Sequence, residues 1–403
     1  MREMLDFILF VDCGANDFIY LFDLPKKPAI KSPLPTNKPY FRTQSKHSFN
    51  IPHHMRFFLL LLIFLSSFSC KNESSYSTSS YIKVSGKTMG TTYSVVYKSD
   101  KNLNLKAEMD TLLGAINDDV STYIPTSIIS QWNQNTTNDT IFGQPHEHFD
   151  SNVSLALDIA DKTNGSFEPT ITPLVNYWGF GYAGKNPVTE IDSVKIDSLM
   201  EFVGFELLEW SATTTGDSKG KTLMKLDDRV QLNLGGSAKG YALDQIAALL
   251  ETNGIVDYMV EIGLEVKCKG KNPKGRIWTI GINTPKVEAK MTDVEAIVQL
   301  DNLSVATSGN YRQSYEIDGQ KIAHIISPKT GFPTVSNLLS VSVFHPECGR
   351  ADAYATAFMV MGLEDAMSLA NDDPDLEALF ITSKPDGSFK VNTTNGMDQI
   401  LVE

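Results

Sequence analysis

The chain has 403 residues, 42% hydrophobic and 21% charged, with a formal net charge of −13. That hydrophobic share can build a core for one large domain or two ordinary ones. The acidic balance argues against nucleic acid as a partner, because phosphate-backbone binding needs a basic face; a nucleotide ligand stays open, since backbone N–H groups and a metal ion can hold its phosphates.

Residues 1–54 are rich in Pro and Lys and carry no helical or strand period after Phe22. They are read as lying upstream of the true start at Met55, outside the mature protein, and no role is assigned to them. From Met55 the sequence runs MRFFLLLLIFLSSFSC: one positive residue, Arg56, an apolar run from Phe57 to Leu65, small residues, and Cys70. This is the layout of a secretory signal over 55–69, too short to span a bilayer as a mature helix. Cys70, directly after the small residues, resembles a bacterial lipoprotein cleavage site, although Phe68 stands where a small residue is usual. A plain signal peptide and an uncleaved anchor are the alternatives. The expectation is a lipid anchor on Cys70, a flexible polar tether over 70–80, and a protein held at a membrane of the cell envelope, facing the periplasm. Cys13, Cys268 and Cys348 form no C-x-x-C pair and suggest neither a disulfide framework nor a zinc site.

One domain is expected over 81–403. Alternating runs at 92–97, 230–234, 277–282 and 338–344 read as strands, and helical spacing covers 104–120, 150–163, 238–253 and 350–370. Helices do not follow each strand in turn, so regular βαβ winding is not expected. The fold class is α+β, a large mostly antiparallel or mixed sheet with packed helices.

Four segments carry candidate chemistry. In SGKTMGTTYSVVY (85–97), Gly86 and Gly90 let backbone approach a ligand, although a plain hairpin would look the same. GSFEPTITPLVNYWGFG (165–181) reads as an ordered loop, with Trp178 and Phe180 as packing residues and Glu168 as an acid able to accept hydrogen bonds from a ribose or adenine. LNLGGSAKGYALDQ (232–245) is a strand running into paired glycines and a helix opening near Ser237, an arrangement that aims unpaired N–H groups at an anion. Lys239 falls in that helix's first turn, where the dipole is unfavourable to a cation; either an anionic ligand or plain solvation explains it. In GRADAYATAFMVMG, Asp352 and Thr356 are one helical turn apart on one face and offer oxygen to a hard cation such as Mg²⁺; a favourable first-turn acid is the plainer reading of Asp352. His324, before a Pro-Lys-Thr-Gly turn, reads as structural unless a cation and a phosphate ester stand beside it.

Taken together, KTMGTTYSV, STYIPTSIISQWN, FEPTITPLVNYWGFG, LGGSAKGYALD, ATSGNYR, HIISPKTGFP and ADAYATA resemble the ApbE family of FAD:protein FMN transferases, over roughly residues 80–395. The resemblance implies that Met89 and Tyr123 flank FAD, that Ser166, Phe167 and Glu168 hold its adenosine, and that Asn233, Lys239 and Ile326 touch it. It implies Mg²⁺ on the Gly236 carbonyl and the side chains of Asp352 and Thr356, with His324 as the catalytic base. Four positions depart from the family pattern. Asn233 stands where aspartate is common, Ser327 replaces the aspartate after His-Ile-Ile, Leu264 replaces the second glycine of a Gly-Gly, and Ala355 stands where some members carry a further acid.

The implied reaction moves FMN from FAD, the substrate, to a threonine hydroxyl of an acceptor flavoprotein, either a membrane redox subunit or an extracytoplasmic flavoprotein. Two other readings remain open: a Mg²⁺-dependent FAD pyrophosphatase giving FMN and AMP, and a flavin-binding lipoprotein without catalysis.

Overall fold

The computed structural model describes residues 80–402, apart from 135–145, 183–186, 216–217, 287–288, 290–292, 311–313 and 318. The expected signal peptide, Cys70 and the tether up to 79 lie outside the described residues. Fourteen strands are described: β1 (Ser80–Thr88), β2 (Thr91–Ser99), β3 (Leu208–Thr215), β4 (Ser218–Lys225), β5 (Tyr258–Ile262), β6 (Glu265–Lys269) and β7 (Trp278–Asn283). They continue with β8 (Val294–Leu300), β9 (Leu303–Gly309), β10 (Ser314–Ile317), β11 (Gln320–Ala323), β12 (Leu338–His345), β13 (Glu377–Ser383) and β14 (Phe389–Thr393). Eight of them form one sheet in the order β1-β2-β5-β6-β9-β12-β13-β14, every neighbouring pair antiparallel.

Eight α-helices are described: α1 (Lys106–Val120), α2 (Ile128–Gln134), α3 (Glu147–Lys162), α4 (Thr172–Tyr177), α5 (Ser193–Met200), α6 (Ala238–Thr252), α7 (Cys348–Met361) and α8 (Leu363–Asp372). The two-residue period of the strands sorts side chains onto two faces. Tyr93, Val95 and Tyr97 of β2, with Tyr258, Val260 and Ile262 of β5, join the helical core that includes Leu243, Ala353 and Phe358. Val96, Met259, Val266 and Cys268 point the other way, into a second core with Trp278 and Ile280 of the β7–β8 ribbon. A third cluster joins Leu174, Trp178 and Ile196 to Ile317, Ile322 and Ile326. No helix among the described residues is long and apolar enough to cross a membrane.

Three local expectations are corrected. Residues 230–234 form no ladder strand, with only an isolated bridge from Gln231 to Ile171; their backbone bonds go instead to a side chain and to a loop, described below. The 165–181 loop contains a short helix, α4, opened by Pro173 in its first turn, where a missing N–H costs nothing. The 350–370 helix is two, α7 and α8, because Gly362 adopts φ +83°, which a continuing α-helix cannot accommodate.

Candidate active site

The site begins with the close crossing of α6 and α7. A Cβ on Gly240 would stand 2.3 Å from the Cys348 carbonyl oxygen, so only glycine permits this approach. The crossing lays the first turn of α6 along α7. Asp352 is buried and its Oδ2 accepts from the Gly240 backbone N–H at 3.1 Å and from Lys239 Nζ at 3.4 Å. One turn on, Thr356 Oγ1 faces Gly236, 3.2 Å from where a Cβ there would stand, and lies 3.5 Å from Ser308 Oγ. Asp352 and Thr356 thus flank the two ends of the Gly236–Gly240 stretch. Asp352 is in the second turn of α7, which opens at Cys348, so it is not the first-turn acid of the plainer reading.

Lys239 is held between two buried carboxylates, Asp352 and Glu265 Oε1 at 3.3 Å. Burial alone would lower its pKa; the two acids outweigh burial and raise it, keeping the ammonium charged. The conflict between Lys239 and the α6 dipole is therefore answered inside the protein. For Asp352, burial dominates and raises its pKa to about 7, with Lys239 pulling it down and Glu265 pushing it up. No side chain caps α6, because Ser237 turns its hydroxyl to Asn152 Oδ1 at 2.9 Å.

The glycine pair is set from outside the helix. Asn133 Nδ2 donates to the Leu232 carbonyl at 2.9 Å and its Oδ1 accepts from the Leu232 N–H at 2.7 Å. The next N–H, of Asn233, donates to the Pro169 carbonyl at 2.7 Å. Asn233 Oδ1 then accepts from the Gly235 N–H at 2.8 Å, a local turn that asparagine makes as well as aspartate would. Leu264 is equally tolerated: the β5–β6 turn needs positive φ only at Gly263, +71°. Ser327 anchors the Pro-Lys-Thr-Gly turn through its backbone, its carbonyl accepting from Gly331 N–H at 2.8 Å. Ala355 is fully buried in the helical core, a packing position.

The 165–171 loop reaches the glycines through Phe167, whose Cε2 would be 2.9 Å from a Cβ on Gly236. Beside it, Ser166 Oγ is buried without a hydrogen-bond partner, as is Asn310 Oδ1. Buried orphan atoms of this kind call for a ligand or an ordered water. Glu168 is almost wholly buried, and both its oxygens are already engaged, Oε1 by Thr170 N–H and Oγ1, Oε2 by Phe205 N–H. Burial pushes its pKa up to about 7 although these bonds favour the charged form.

Met89 and Gly90 form the two-residue β1–β2 turn at φ +50° and +73°. Two successive positive φ values define the type I′ turn, and methionine in that region carries backbone strain. Tyr123 is 71% exposed and lines a cleft of about 200 Å³ with Thr122, Pro125, Ser130, Asn133 and Tyr182. His324, half-buried at the bend after β11, sets its ring edge-on to Phe180, centroids 6.2 Å apart at 68°. Ile326 is buried in the cluster with Trp178, whose indole N–H donates to the Gly331 carbonyl at 2.8 Å. The structure thus brings Lys239 to Asp352 and both Thr356 and Phe167 to Gly236, with Asn233 joined through the Gly235 N–H. His324 and Ile326 join through the Trp178 loop, and Tyr123 through the cleft beside Asn133.

Three residues of this assembly carried no signal in the single segments: Asn133, Glu265 and Ser308. Asn133 and Ser308 lie inside the matched stretches STYIPTSIISQWN and ATSGNYR, but their roles depend on partners far along the chain. Along the Gly236–Gly240 stretch Asp352 offers a carboxylate and Thr356 a hydroxyl, oxygen donors that suit a hard divalent cation. Among the described residues no group of three or more His, Cys, Asp or Glu forms a metal cage. A cation here would therefore rely on one carboxylate with neutral oxygens.

The chain belongs to the ApbE family, whose model matches residues 89–380. It is 35% identical over 310 residues to the FAD:protein FMN transferase of Vibrio cholerae, covering 76% of this chain and 89% of that protein. It is 32% identical over 341 residues to that of Haemophilus influenzae, covering 83% and 94%. The flavin transferase ApbE structure from Vibrio cholerae superposes with a TM-score of 0.69 at 34% identity, over 80% of this chain and all of that one. The apo flavinyl transferase ApbE of Pseudomonas stutzeri gives 0.69 at 30% identity, over 80% and 97%.

Proposed function

We propose that this chain is a Mg²⁺-dependent transferase that moves FMN from FAD to a threonine hydroxyl of an acceptor flavoprotein and releases AMP. The observation that carries the reading is the pair Asp352 and Thr356 flanking Gly236–Gly240 at the amino end of α6, oxygen donors that suit a hard cation. The relatives' shared name, FAD:protein FMN transferase, supports the same reaction.

In this reading Tyr123 and Met89 flank the flavin ring, and the exposed phenol ring of Tyr123 offers a stacking face. Ser166, with its unpartnered hydroxyl, and the neighbouring Phe167 and Glu168 hold the adenosine; the engaged oxygens of Glu168 fix the loop that presents them. Asn233, Lys239 and Ile326 complete the FAD contacts. The Gly236 carbonyl, Asp352 and Thr356 would hold Mg²⁺, which when bound neutralises pyrophosphate charge. The threonine oxygen attacks the FMN phosphorus, the bond to the AMP phosphate breaks, and His324 takes the hydroxyl proton. Lys239 and the amino end of α6 stabilise the departing phosphate.

Cys70 is proposed to carry the lipid anchor, placing the domain at the periplasmic side of an envelope membrane, within reach of membrane redox subunits and extracytoplasmic flavoproteins. Incubating the protein with FAD, Mg²⁺ and a candidate acceptor tests the reaction by mass spectrometry. Transfer adds FMN to the acceptor. Free FMN and AMP alone would make the protein a pyrophosphatase, and intact FAD would make it a binder.

A further inference from the structure

We infer that Glu265 is a positioning residue: it draws Lys239 off Asp352 so that the shared carboxylate can accept a divalent cation. The inference rests on the metal reading above. Lys239 Nζ lies 3.3 Å from Glu265 Oε1 and 3.4 Å from Asp352 Oδ2, with both acids buried and the lysine only partly exposed. On Asp352, that lysine and the Gly240 N–H occupy one and the same oxygen, Oδ2. A divalent cation arriving at Asp352 therefore meets an ammonium on the same carboxylate, and two like charges that close repel strongly in a partly buried site.

A second buried acid offers the ammonium somewhere else to go. Glu265 is suited to this because its other oxygen is pinned: Oε2 accepts from the Leu264 N–H at 3.2 Å, inside the β5–β6 turn. The same turn packs against both side chains: a Cβ on Gly263 would crowd Glu265 Oε2 at 3.2 Å and touch Lys239 Cδ at 3.7 Å. A lysine is a compact charge on a flexible stem, so a shift of its ammonium between the two acids needs only rotamer motion. With the cation bound, Lys239 stays beside the site, charged and paired, where a departing phosphate can use it.

The test is Mg²⁺ titration calorimetry on the full chain, solubilised in detergent, with folding checked by circular dichroism. Glu265→Gln keeps shape and removes the charge, leaving Lys239 on Asp352 alone; Mg²⁺ affinity should fall about tenfold or more. Removing the competitor as well should cancel the defect: Lys239→Met and the double variant Lys239→Met/Glu265→Gln should bind Mg²⁺ within about threefold of each other. A merely structural Glu265 would show no such rescue. If Glu265→Gln does not fold, Glu265→Asp, one methylene shorter, is expected to weaken Mg²⁺ in the same lysine-dependent way. Unchanged affinity in the glutamine variant, or equal loss with and without Lys239, overturns the inference while the metal site stands. A wild-type chain that takes up no Mg²⁺ overturns the metal reading and this inference together.

Discussion

Asn133 and Leu232 are joined by two hydrogen bonds, side-chain amide to backbone carbonyl at 2.9 Å and backbone N–H to side-chain oxygen at 2.7 Å. The pairing replaces a missing strand neighbour and fixes the residue immediately before Asn233. Asn133→Ala leaves two buried backbone groups without partners, each costing about 1–3 kcal/mol. Urea denaturation should show a loss of about 2–6 kcal/mol, and FAD should bind more weakly in the remaining folded protein. A variant of unchanged midpoint would mean that water replaces the amide.

Asp352→Ala is expected to abolish Mg²⁺-dependent turnover. The fold should survive, because Lys239 keeps Glu265 as a partner. Full activity at low Mg²⁺ would remove Asp352 from the metal set.

His324→Ala should lower turnover by about 10²–10⁴-fold, the usual share of a general base, with little change in FAD affinity. Near-normal turnover would make the ring a packing partner of Phe180, and loss of FAD binding in step with activity would make it a ligand contact.

Glu261 supplies a pH test away from the metal set. It is buried on the second-core face of β5, its Oε1 has no hydrogen-bond partner, and neither has Ser94 Oγ, its cross-strand neighbour. Burial first, then the nearby Glu265 charge, raises its pKa from 4.5 to about 9. The folded state thus binds more protons than the unfolded one between these values, so this group's contribution is full below about 4.5 and is lost as pH rises towards 9. Glu261→Gln cannot ionise. Its stability relative to wild type should improve by at least about 1 kcal/mol between pH 5 and pH 9, measured by urea melts. A constant difference across that range would sink the assignment.

Much of the sheet and the helical layer was legible from period alone, since TYSVVY, IWTIGI and LLSVSVF each alternate over two clean faces. The 230–234 run misled because VQLNL also alternates, while its partner is a side chain rather than a strand. Period cannot tell one from the other. Gly362 was hidden inside apolar spacing that continues across it, and only the backbone angle reveals the break. At the site, the one-turn spacing of Asp352 and Thr356 was visible locally. The lock on Lys239 was not, because Glu265 comes from a different hairpin. The departures at Asn233 and Leu264 look consequential as letters, yet the Asx turn and the single positive φ absorb both.

The order of strands in the main sheet has a kinetic consequence. β2 and β5 are neighbours in the sheet, yet the chain between them first travels through α1 to α6 and the β3–β4 ribbon. Their pairing must therefore wait for a long loop to close, and until then both carry open edges able to join a foreign strand. Nothing beyond β5 can shorten that wait. The Lys239–Glu265 contact needs β6 next to α6, and the Asp352 contact needs α7, so this cluster is among the last features to mature. A nascent chain should pass through a stage with its first hairpin formed and no capacity to bind nucleotide, and that stage is where a chaperone would have most to protect.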